Sequence, residues 1–264
     1  MIKFLNKIIN RKYYKLELNF VDNSKYLNNM NIVITGGTSG IGYEIANRAM
    51  QLGANVLIIG RNKEKLEKIE KELKCNILEW DINQIDLLEE KIDRIMKIFN
   101  GRIDCLINNA GIYNNSACLE TDSNIFDSMI NTNLKAPYFI SKEIIKRCFI
   151  KQNKGNIIFI SSNRGIMGDD CVYGISKSGV INFTKGLAKK YLNNNIRVNS
   201  IAPGMTTSNI NGIKDTENLY AEYLKGKRVL SAREIAEIVM FFVSEASTCI
   251  TGQVIACDNG ESIL

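Results

Sequence analysis

The residues Thr35-Gly36-Gly37-Thr38-Ser39-Gly40-Ile41-Gly42 form the most informative turn of this sequence. They follow the apolar run Asn31–Thr35 and precede a segment with helical periodicity. Glycines at these places permit a tight turn, so that backbone N–H groups can closely approach a pyrophosphate at the positive N-terminal end of the helix. Between a first strand and a first helix, the turn therefore predicts a dinucleotide-binding site.

Short apolar runs alternate with amphipathic segments along the rest of the chain. Strands are predicted at Asn31–Thr35, Asn55–Ile59, Asn76–Trp80, Ile103–Asn108, Asn156–Ser161, Ile196–Ala202 and Gln253–Cys257. Helices are predicted from the glycine turn to about Leu52, and at Asn62–Leu73, Gln84–Phe99, Ser123–Ile150, Tyr173–Leu192 and Arg233–Ser244. The runs lack polar alternation, which is typical of a parallel sheet covered on both faces. The pattern predicts an α/β Rossmann fold with a doubly wound, mostly parallel seven-stranded sheet and helices on both faces.

The chain is expected to divide into an N-terminal basic arm, residues 1–30, and a single Rossmann-fold domain, residues 31–264. The arm has six basic and two acidic residues, and so carries +4 of the net charge of +6. Because the excess lies outside the folded part, nucleic acid is not expected as a partner. The apolar face of the arm is short, which favours packing on the main domain or on a second copy over a membrane-surface helix.

No apolar run approaches the ~20 residues of a membrane helix, so no membrane insertion is expected. The seven cysteines are scattered and never in Cys-x-x-Cys spacing. This favours a reducing, cytoplasmic location without disulfides, and no metal site is expected. Cys171 is a candidate reactive thiol beside Tyr173, although inert packing is the favoured interpretation.

Tyr173 and Lys177 stand four residues apart in a segment with helical periodicity, and so share one helix face. A phenol has an ordinary pKa of roughly 10, and a nearby cation favours the phenolate and lowers that pKa. A serine hydroxyl at the end of the run Asn156–Ser161 can hold a substrate oxygen beside the phenol. In a chain without histidine, these groups indicate a proton-transfer site.

Together, Thr-Gly-x-x-x-Gly-Ile-Gly and Tyr-x-x-x-Lys resemble the short-chain dehydrogenase/reductases, in their shorter single-domain branch, over about residues 31–260. The pattern is similar to that of 3-oxoacyl-[acyl-carrier-protein] reductases. Further matches are Asp81-Ile82, Asn108-Asn109-Ala110-Gly111, Asn131-Thr132-Asn133-Leu134, Pro203-Gly204 and Asp258-Asn259-Gly260. The resemblance implies an oxidoreductase that reduces a carbonyl to an alcohol, or the reverse, by hydride transfer.

The resemblance also implies the roles of individual residues. The catalytic residues would be Asn133, Ser162, Tyr173 and Lys177. Ser162 is chosen over Ser161 because the family pattern places the catalytic serine three residues before a glycine, here Gly165. Tyr173 would exchange the proton, Ser162 would hydrogen-bond the substrate oxygen, Lys177 would hold the nicotinamide ribose, and Asn133 would anchor a water. The cofactor contacts would be Gly36, Thr38, Ser39, Gly40, Ile41, Gly42, Arg61, Asp81, Ile82, Asn109, Ala110, Gly111, Tyr173, Lys177, Pro203, Gly204, Thr206 and Thr207.

The residues after the second strand bear on which nicotinamide cofactor is used. A site for NAD places an acid there to bind the ribose 2′-hydroxyl, whereas this chain has Gly60 followed by Arg61. A guanidinium can bind a 2′-phosphate through paired hydrogen bonds, so NADP is the expected cofactor. Ser39 occupies the second position where the family places a basic residue, and an NAD-dependent alcohol or sugar dehydrogenase therefore stays open as the alternative.

Substrate choice in the family lies in the loops matched by Ile112–Ser116, Asn163–Val172 and Met205–Arg228. The second loop is shorter than usual, and Arg164 within it is a candidate clamp for an acidic substrate, with a solvated surface arginine as the favoured interpretation. The third is short and polar. A 3-oxoacyl thioester suits the overall pattern, and a sugar or other small polar carbonyl suits the polar loop.

Two other classes of protein compete with a reductase. A non-catalytic cofactor-binding regulator usually lacks a member of the catalytic tetrad, and this sequence keeps all four. A sugar-nucleotide epimerase would need a larger C-terminal domain and Gly-x-x-Gly-x-x-Gly spacing. The resemblance further implies a homotetramer or homodimer packed through the helices at 124–150 and from Tyr173.

Overall fold

The computed structural model describes residues 26–207 and 219–263. Its seven strands are β1 Asn31–Thr35, β2 Asn55–Gly60, β3 Asn76–Glu79, β4 Cys105–Asn108, β5 Gly155–Ile160, β6 Ile196–Pro203 and β7 Val254–Cys257. They form one sheet in the order β3-β2-β1-β4-β5-β6-β7, and every neighbouring pair is parallel. The predicted doubly wound fold is confirmed, with each strand boundary within about two residues of its prediction.

The helices are α1 Gly40–Gln51, α2 Lys63–Leu73, α3 Leu88–Ile98, α4 Ser123–Ile130, α5 Ala136–Ile144, α6 Ile150–Gln152, α7 Arg164–Met167, α8 Val172–Tyr191 and α9 Ala232–Val243. Two π-helical turns, Asn131–Lys135 and Ile145–Phe149, join α4 to α5 and α5 to α6. The helix predicted over Ser123–Ile150 is therefore one continuous run interrupted by two wider turns. Such turns are frequent at functional sites, and the first contains Asn133.

Helices cover both faces of the sheet, which explains the absence of polar alternation in the strands. All five residues of β1 are buried. Ile32 and Ile34 belong to the core layer packed under α1 and α9, whereas Val33 belongs to the layer under α3, α5 and α8. Successive side chains of a strand point to opposite faces, so a two-sided core favours apolar residues on both faces, as at Ile32, Val33 and Ile34.

The strand order reverses between β1 and β4, since β2 and β3 lie on one side of β1 and the later strands on the other. The loops after these two strands run in opposite directions and leave a crevice at the carboxyl ends of the strands. The glycine turn after β1 and the segment Asn109–Gly111 after β4 both lie in this crevice.

The end of the N-terminal arm packs against the main domain. Leu27 is fully buried, and its backbone N–H donates to the carbonyl of Leu52. The backbone N–H of Asn29 donates to Gly53 in the same way. The predictions for residues 1–25 lie outside the described residues. Within 26–207 and 219–263, no helix has the length and apolarity needed to cross a membrane.

Candidate active site

The glycine turn is held by residues that follow β4. Gly36 and Gly40 adopt positive φ angles of 70° and 55°, which favour glycine. A Cβ on Gly42 would lie 2.4 Å from both Asn109 Nδ2 and the Gly36 carbonyl oxygen, so this position also requires glycine. Asn109 Nδ2 donates to the carbonyls of Thr35 and Gly36 at 3.1 and 2.9 Å, which fixes the turn to the centre of the sheet.

The turn opens into a cavity of about 660 Å³ that runs along the carboxyl ends of the strands. Its wall contains most of the residues predicted to contact the cofactor: Gly36, Thr38, Ser39, Gly40, Ile41, Gly42, Arg61, Asp81, Ile82, Asn109, Ala110, Gly111, Pro203, Gly204 and Thr206. Ser162, Tyr173 and Lys177 line the same cavity. Both predicted sets therefore meet in one space.

Thr207 is the exception among the predicted cofactor residues. It is buried outside the cavity wall, and its hydroxyl accepts a hydrogen bond of 3.0 Å from the backbone N–H of Ala232. It thus supports the first turn of α9, whose orphan N–H groups need acceptors. Thr206, which was predicted beside it, lies in the cavity wall, and a contact of Thr207 with the cofactor stays a prediction.

The first turn of α1 fits a pyrophosphate. Ser39 precedes the helix with an extended backbone, and its side chain makes no capping hydrogen bond. The N–H groups at the start of a helix otherwise need such a partner, and they favour an anion. An uncapped helix start that borders the cavity behind a glycine turn is the arrangement that a dinucleotide pyrophosphate requires.

Arg61 borders the other end of the cavity, directly after β2. Its side chain is exposed, and Asn62 behind it caps α2 by accepting from the backbone N–H of Lys65 at 2.8 Å. Lys65 also lines the cavity, which gives this end a second cation that the sequence did not single out. A carboxylate is absent from the Gly60 position, where the Cβ of a larger residue would lie 3.0 Å from Thr38 Cγ2.

Ser162 and Tyr173 meet at the opposite end of the cavity. The Ser162 hydroxyl faces the Tyr173 phenol and acts to lower its pKa, and both side chains border the cavity. The neighbouring Ser161 hydroxyl instead donates to the carbonyl of Ile201 at 3.0 Å and is 2.6 Å from Ser200 Oγ, inside the sheet. The geometry therefore agrees with the choice of Ser162 over Ser161.

Lys177 lies one helical turn after Tyr173 and is completely enclosed. Its Nζ donates to the carbonyl of Ile160 at 2.9 Å and lies 5.6 Å from the centre of the Tyr173 ring. Burial lowers the pKa of Lys177 to about 8. Burial also raises the pKa of Tyr173 above its ordinary value, and this outweighs the lowering effect of the Ser162 hydrogen bond. Removal from water disfavours the charged form of each group, so burial and not the neighbouring lysine sets the direction of the Tyr173 pKa in the protein alone, and the lowering effect of Lys177 stays a prediction.

Asn133 lies just behind the cavity wall. Its Nδ2 donates to the carbonyl of Ile112 at 2.9 Å and to Ser176 Oγ at 3.1 Å, while its Oδ1 accepts from the Ile112 backbone N–H at 2.9 Å. A Cβ on Gly111 would lie 3.3 Å from Asn133 Oδ1 and 3.4 Å from Lys177 Nζ. Asn133 thus joins the loop after β4 to α8 and brings its carboxamide close to the lysine.

The loop between Ser162 and Tyr173 contains the residue suggested as a substrate clamp. Arg164 is ion-paired with Asp169, with Nε 2.5 Å from Oδ2, and donates to Tyr113 Oη at 3.0 Å. It is therefore neither a free clamp nor a solvated surface residue. Cys171 is buried in the same loop, and its Sγ lies 3.1 Å from the Asn114 carbonyl oxygen. In the third predicted loop, residues 208–218 lie outside the described residues.

Some cavity residues were not singled out individually from the sequence, although Tyr113, Met167 and Leu224 lie in the loops expected to line the substrate pocket. Tyr113 packs edge-on against the Tyr173 ring, with centroids 4.9 Å apart. Glu261 reaches the wall from the C-terminal turn, where its Oε2 accepts from Asn163 Nδ2 at 3.2 Å. Met167 and Leu224 add apolar surface. Glu261 follows the Asp258-Asn259-Gly260 turn directly, so that motif was the one available signal for it.

Within the described ranges, no cluster of three or more His, Cys, Asp or Glu side chains could hold a metal.

Comparison with known proteins gives consistent results. A family model described as enoyl-(acyl carrier protein) reductase matches residues 36–262. The 3-oxoacyl-[acyl-carrier-protein] reductase of Chlamydia muridarum is 36% identical over 240 residues, which cover 86% of this chain and 95% of the relative. A short-chain type dehydrogenase/reductase from Mycobacterium marinum superimposes with a TM-score of 0.83 at 25% identity, over 92% of this chain and 99% of that one. A citronellol catabolism dehydrogenase of Pseudomonas aeruginosa gives 0.80 at 27% identity, over 90% and 97%.

Proposed function

The chain belongs to the short-chain dehydrogenase/reductase family, and we propose that it reduces the ketone of a 3-oxoacyl thioester to a secondary alcohol with NADP(H). One observation carries the proposal. A single cavity has an exposed arginine and an uncapped helix start at one end, and a serine and a tyrosine that face each other beside a buried lysine at the other. This is the order in which a phosphorylated dinucleotide and a carbonyl oxygen need partners.

The cofactor is assigned to residues that fit its parts. The amides of the glycine turn and of the first turn of α1 would hold the pyrophosphate. Arg61, with Lys65 beside it, would hold the 2′-phosphate through charge-assisted hydrogen bonds. Lys177 would hold the nicotinamide ribose. When bound, the reduced nicotinamide supplies the hydride, and the protein supplies position and a proton.

Ser162 and Tyr173 would act together on the substrate oxygen. Because Ser162 and Tyr173 face each other across the cavity wall, a single carbonyl oxygen placed between them could accept from both hydroxyls. As the carbonyl carbon takes the hydride, its oxygen gains negative charge and takes the phenolic proton of Tyr173. The product is the alcohol, and Tyr173 is left as a phenolate.

Burial then favours return of the proton to Tyr173. The pKa of the phenol is raised and that of Lys177 is lowered to about 8, so a proton passes favourably from the ammonium to the phenolate. Lys177 has one hydrogen-bond partner in the described residues, the Ile160 carbonyl, and its remaining N–H groups are left for a bridging hydroxyl or water. Asn133, which lies with Lys177 around Gly111, would hold such a water on the path to solvent.

The substrate class is supported by the C. muridarum relative, which is named for its action on a 3-oxoacyl group. Arg164 is ion-paired with Asp169 and Glu261 adds a carboxylate to the wall, so in the described part of this end Arg164 is not available to a substrate carboxylate. A thioester ketone has no charge at its reacting end and fits such a wall. The alternative, an NAD(H)-dependent alcohol or sugar dehydrogenase, is favoured by the uncharged Ser39 at the second phosphate position.

We propose further that the protein is a cytoplasmic homotetramer or homodimer. Phe126 on α4, Tyr138 on α5 and Ile175 on α8 are 45%, 44% and 48% exposed. These are the helices through which contact between copies is predicted. Exposed apolar side chains gathered on neighbouring helices favour association.

The test is a steady-state screen of the purified full chain with NADPH and NADH. The substrates are acetoacetyl-N-acetylcysteamine, simple ketones and keto-sugars, and cofactor oxidation is measured by absorbance. We expect the highest kcat/KM for the thioester with NADPH. Preference for NADH with sugars would support the alternative, and tight NADPH binding without turnover of any substrate would support a non-catalytic regulator.

A further inference from the structure

The shortened loop before Tyr173 is built around an ion pair withdrawn from water. Arg164 meets Asp169 through two nitrogens, with Nε 2.5 Å from Oδ2 and Nη2 2.9 Å from Oδ1. The side chain of Asp169 is 7% exposed and that of Arg164 is 29% exposed. Asp169 Oδ1 also accepts from the backbone N–H of Cys171 at 3.1 Å. The Nη2–Oδ1 hydrogen bond, together with the ion-pair contact between Nε and Oδ2, fixes the direction of the guanidinium.

The pair lies directly against the first turn of α8. A Cβ on Gly174 would be 2.2 Å from the Cβ of Asp169, so only glycine next to Tyr173 admits the aspartate. Gly165 packs as closely on the next turn, where its Cβ would lie 2.8 Å from the carbonyl carbon of Lys177. Ser178 Oγ donates to the Gly165 carbonyl at 2.8 Å. The loop is therefore fastened to the helix that carries both Tyr173 and Lys177.

The remaining arm of the guanidinium reaches across the cavity mouth. Arg164 Nη1 donates to Tyr113 Oη at 3.0 Å and to Asn115 Oδ1 at 2.8 Å, and Tyr113 Oη donates to Asn115 Oδ1 at 2.7 Å. The Tyr113 ring meets the Tyr173 ring edge-on, at 4.9 Å and 89°. The backbone N–H of Arg164 also donates to Ser162 Oγ at 3.3 Å. One residue thus contacts Ser162 directly and reaches Tyr173 through Tyr113.

We propose that Arg164, fixed by Asp169, is a positioning residue for the proton donor: it holds Tyr113 against the Tyr173 ring and places a cation beside the phenol. This inference rests on the proposed role of Tyr173. The guanidinium of Arg164 is not a substrate clamp, because Nε and Nη2 face Asp169 while Nη1 faces Tyr113 and Asn115. No pair of parallel N–H groups is left for a carboxylate.

The charges around the phenol agree with this role. Burial is the largest influence on the pKa of Tyr173 and raises it, the Ser162 hydrogen bond lowers it, and the charge of Arg164 lowers it further. Tyr113 and Cys171 act in the raising direction. The groups facing the phenol are therefore Tyr113 from the loop after β4, Ser162 and Arg164 from the loop after β5, and Cys171 and Lys177 on either side along α8. Among these, Arg164 and Lys177 are the two cations, and the charge of Arg164 acts to lower the pKa of the phenol.

The experiment compares Arg164→Met and Arg164→Lys with the wild-type chain. Arg102→Met is the matched control, since Arg102 forms a bidentate pair with Asp104 away from the cavity, with Nε–Oδ1 and Nη2–Oδ2 distances of 3.0 and 2.8 Å. The measurements are the Kd for NADPH, kcat and KM for acetoacetyl-N-acetylcysteamine, and the pH profile of oxidation of the 3-hydroxybutyryl thioester with NADP. Oxidation needs the phenolate, so its rise with pH follows the Tyr173 pKa.

We expect Arg164→Met to lower kcat by about tenfold or more through misplacement of the proton donor, with the Kd for NADPH unchanged. Its oxidation profile should shift to higher pH. Arg164→Lys retains the charge, so its profile should stay near that of wild type while kcat is partly restored. An Arg164→Met variant with unchanged kcat and pH profile, or with a raised KM as its only defect, would overturn the proposal.

Two further measurements keep this test independent of folding and of substrate choice. Tyr113→Phe keeps the ring on Tyr173 and removes only the hydroxyl that Arg164 binds, and we expect it to lower kcat less than Arg164→Met does. If the thioester is not a substrate, a crystal structure of Arg164→Met decides. Displacement of Tyr113 from Tyr173 supports positioning, and an unmoved ring refutes it. Activity retained in Tyr173→Phe would instead refute the proposed function itself.

Discussion

Replacement of Arg61 by alanine should weaken NADPH binding and leave NADH binding unchanged. Arg61 follows β2 at the cavity wall, where an acid would select NAD, and the preceding Gly60 leaves room beside Thr38. The guanidinium is exposed, and its effect on binding is therefore at the lower end for a charge-assisted hydrogen bond. About 1.5 kcal/mol is a reasonable value, which corresponds to roughly a tenfold rise in Kd for NADPH.

The assay is a fluorescence titration of each reduced cofactor into wild type, Arg61→Ala and Lys63→Ala. Lys63 is the matched control because it lies two residues further on, is exposed and does not line the cofactor cavity. The loss in Arg61→Ala should shrink at high salt, since an exposed ion pair is screened. An equal loss for NADPH and NADH, or the same loss in Lys63→Ala, would refute a 2′-phosphate contact by Arg61.

Three other predictions follow from the site. Burial lowers the pKa of Lys177 to about 8 from its ordinary value of 10.5, so between these two pH values the unfolded chain binds more protons than the folded one. The free energy of unfolding should therefore rise with pH across this range, by roughly 3 kcal/mol. Urea unfolding near pH 7 and near pH 10 should show this rise in wild type relative to Lys177→Met, and equal changes in the two proteins would contradict it. Gly42→Ala should lower Tm and abolish NADPH binding, because its Cβ would lie 2.4 Å from Asn109 Nδ2, and an unchanged Tm in calorimetry would refute this. Cys171 is buried whereas Cys118 is exposed, so a thiol reagent followed by mass spectrometry should label Cys118 far faster, and equal rates would show that Cys171 is accessible.

The sequence was sufficient for the fold because its signals are local. Each strand is a short, mainly apolar run between turns, and its few buried polar residues do not alternate with apolar ones. The glycine turn has its own steric signature, since Gly36 and Gly40 take positive φ angles. The π-helical turn at Asn131–Lys135 was missed because its side-chain pattern differs little from that of an α-helix.

The site was predicted less completely because its contacts join distant segments. Arg164 and Tyr113 are separated by 51 residues, and no local pattern indicates that they meet. The raised pKa of Tyr173 depends on how deeply the phenol is buried, which four-residue spacing to Lys177 does not reveal. Thr207 was assigned to the cofactor by its distance from Pro203, whereas its hydroxyl is used by the start of α9.

The central claim is that Tyr173 is the proton donor, and Tyr173→Phe tests it most directly. Phenylalanine keeps the ring beside Tyr113 and removes only the hydroxyl that meets Ser162. The measurement is the rate of NADPH oxidation with acetoacetyl-N-acetylcysteamine, alongside the Kd for NADPH. We predict loss of at least about 100-fold in kcat with nearly unchanged cofactor affinity. A variant that keeps its rate within about tenfold of wild type would contradict the assignment.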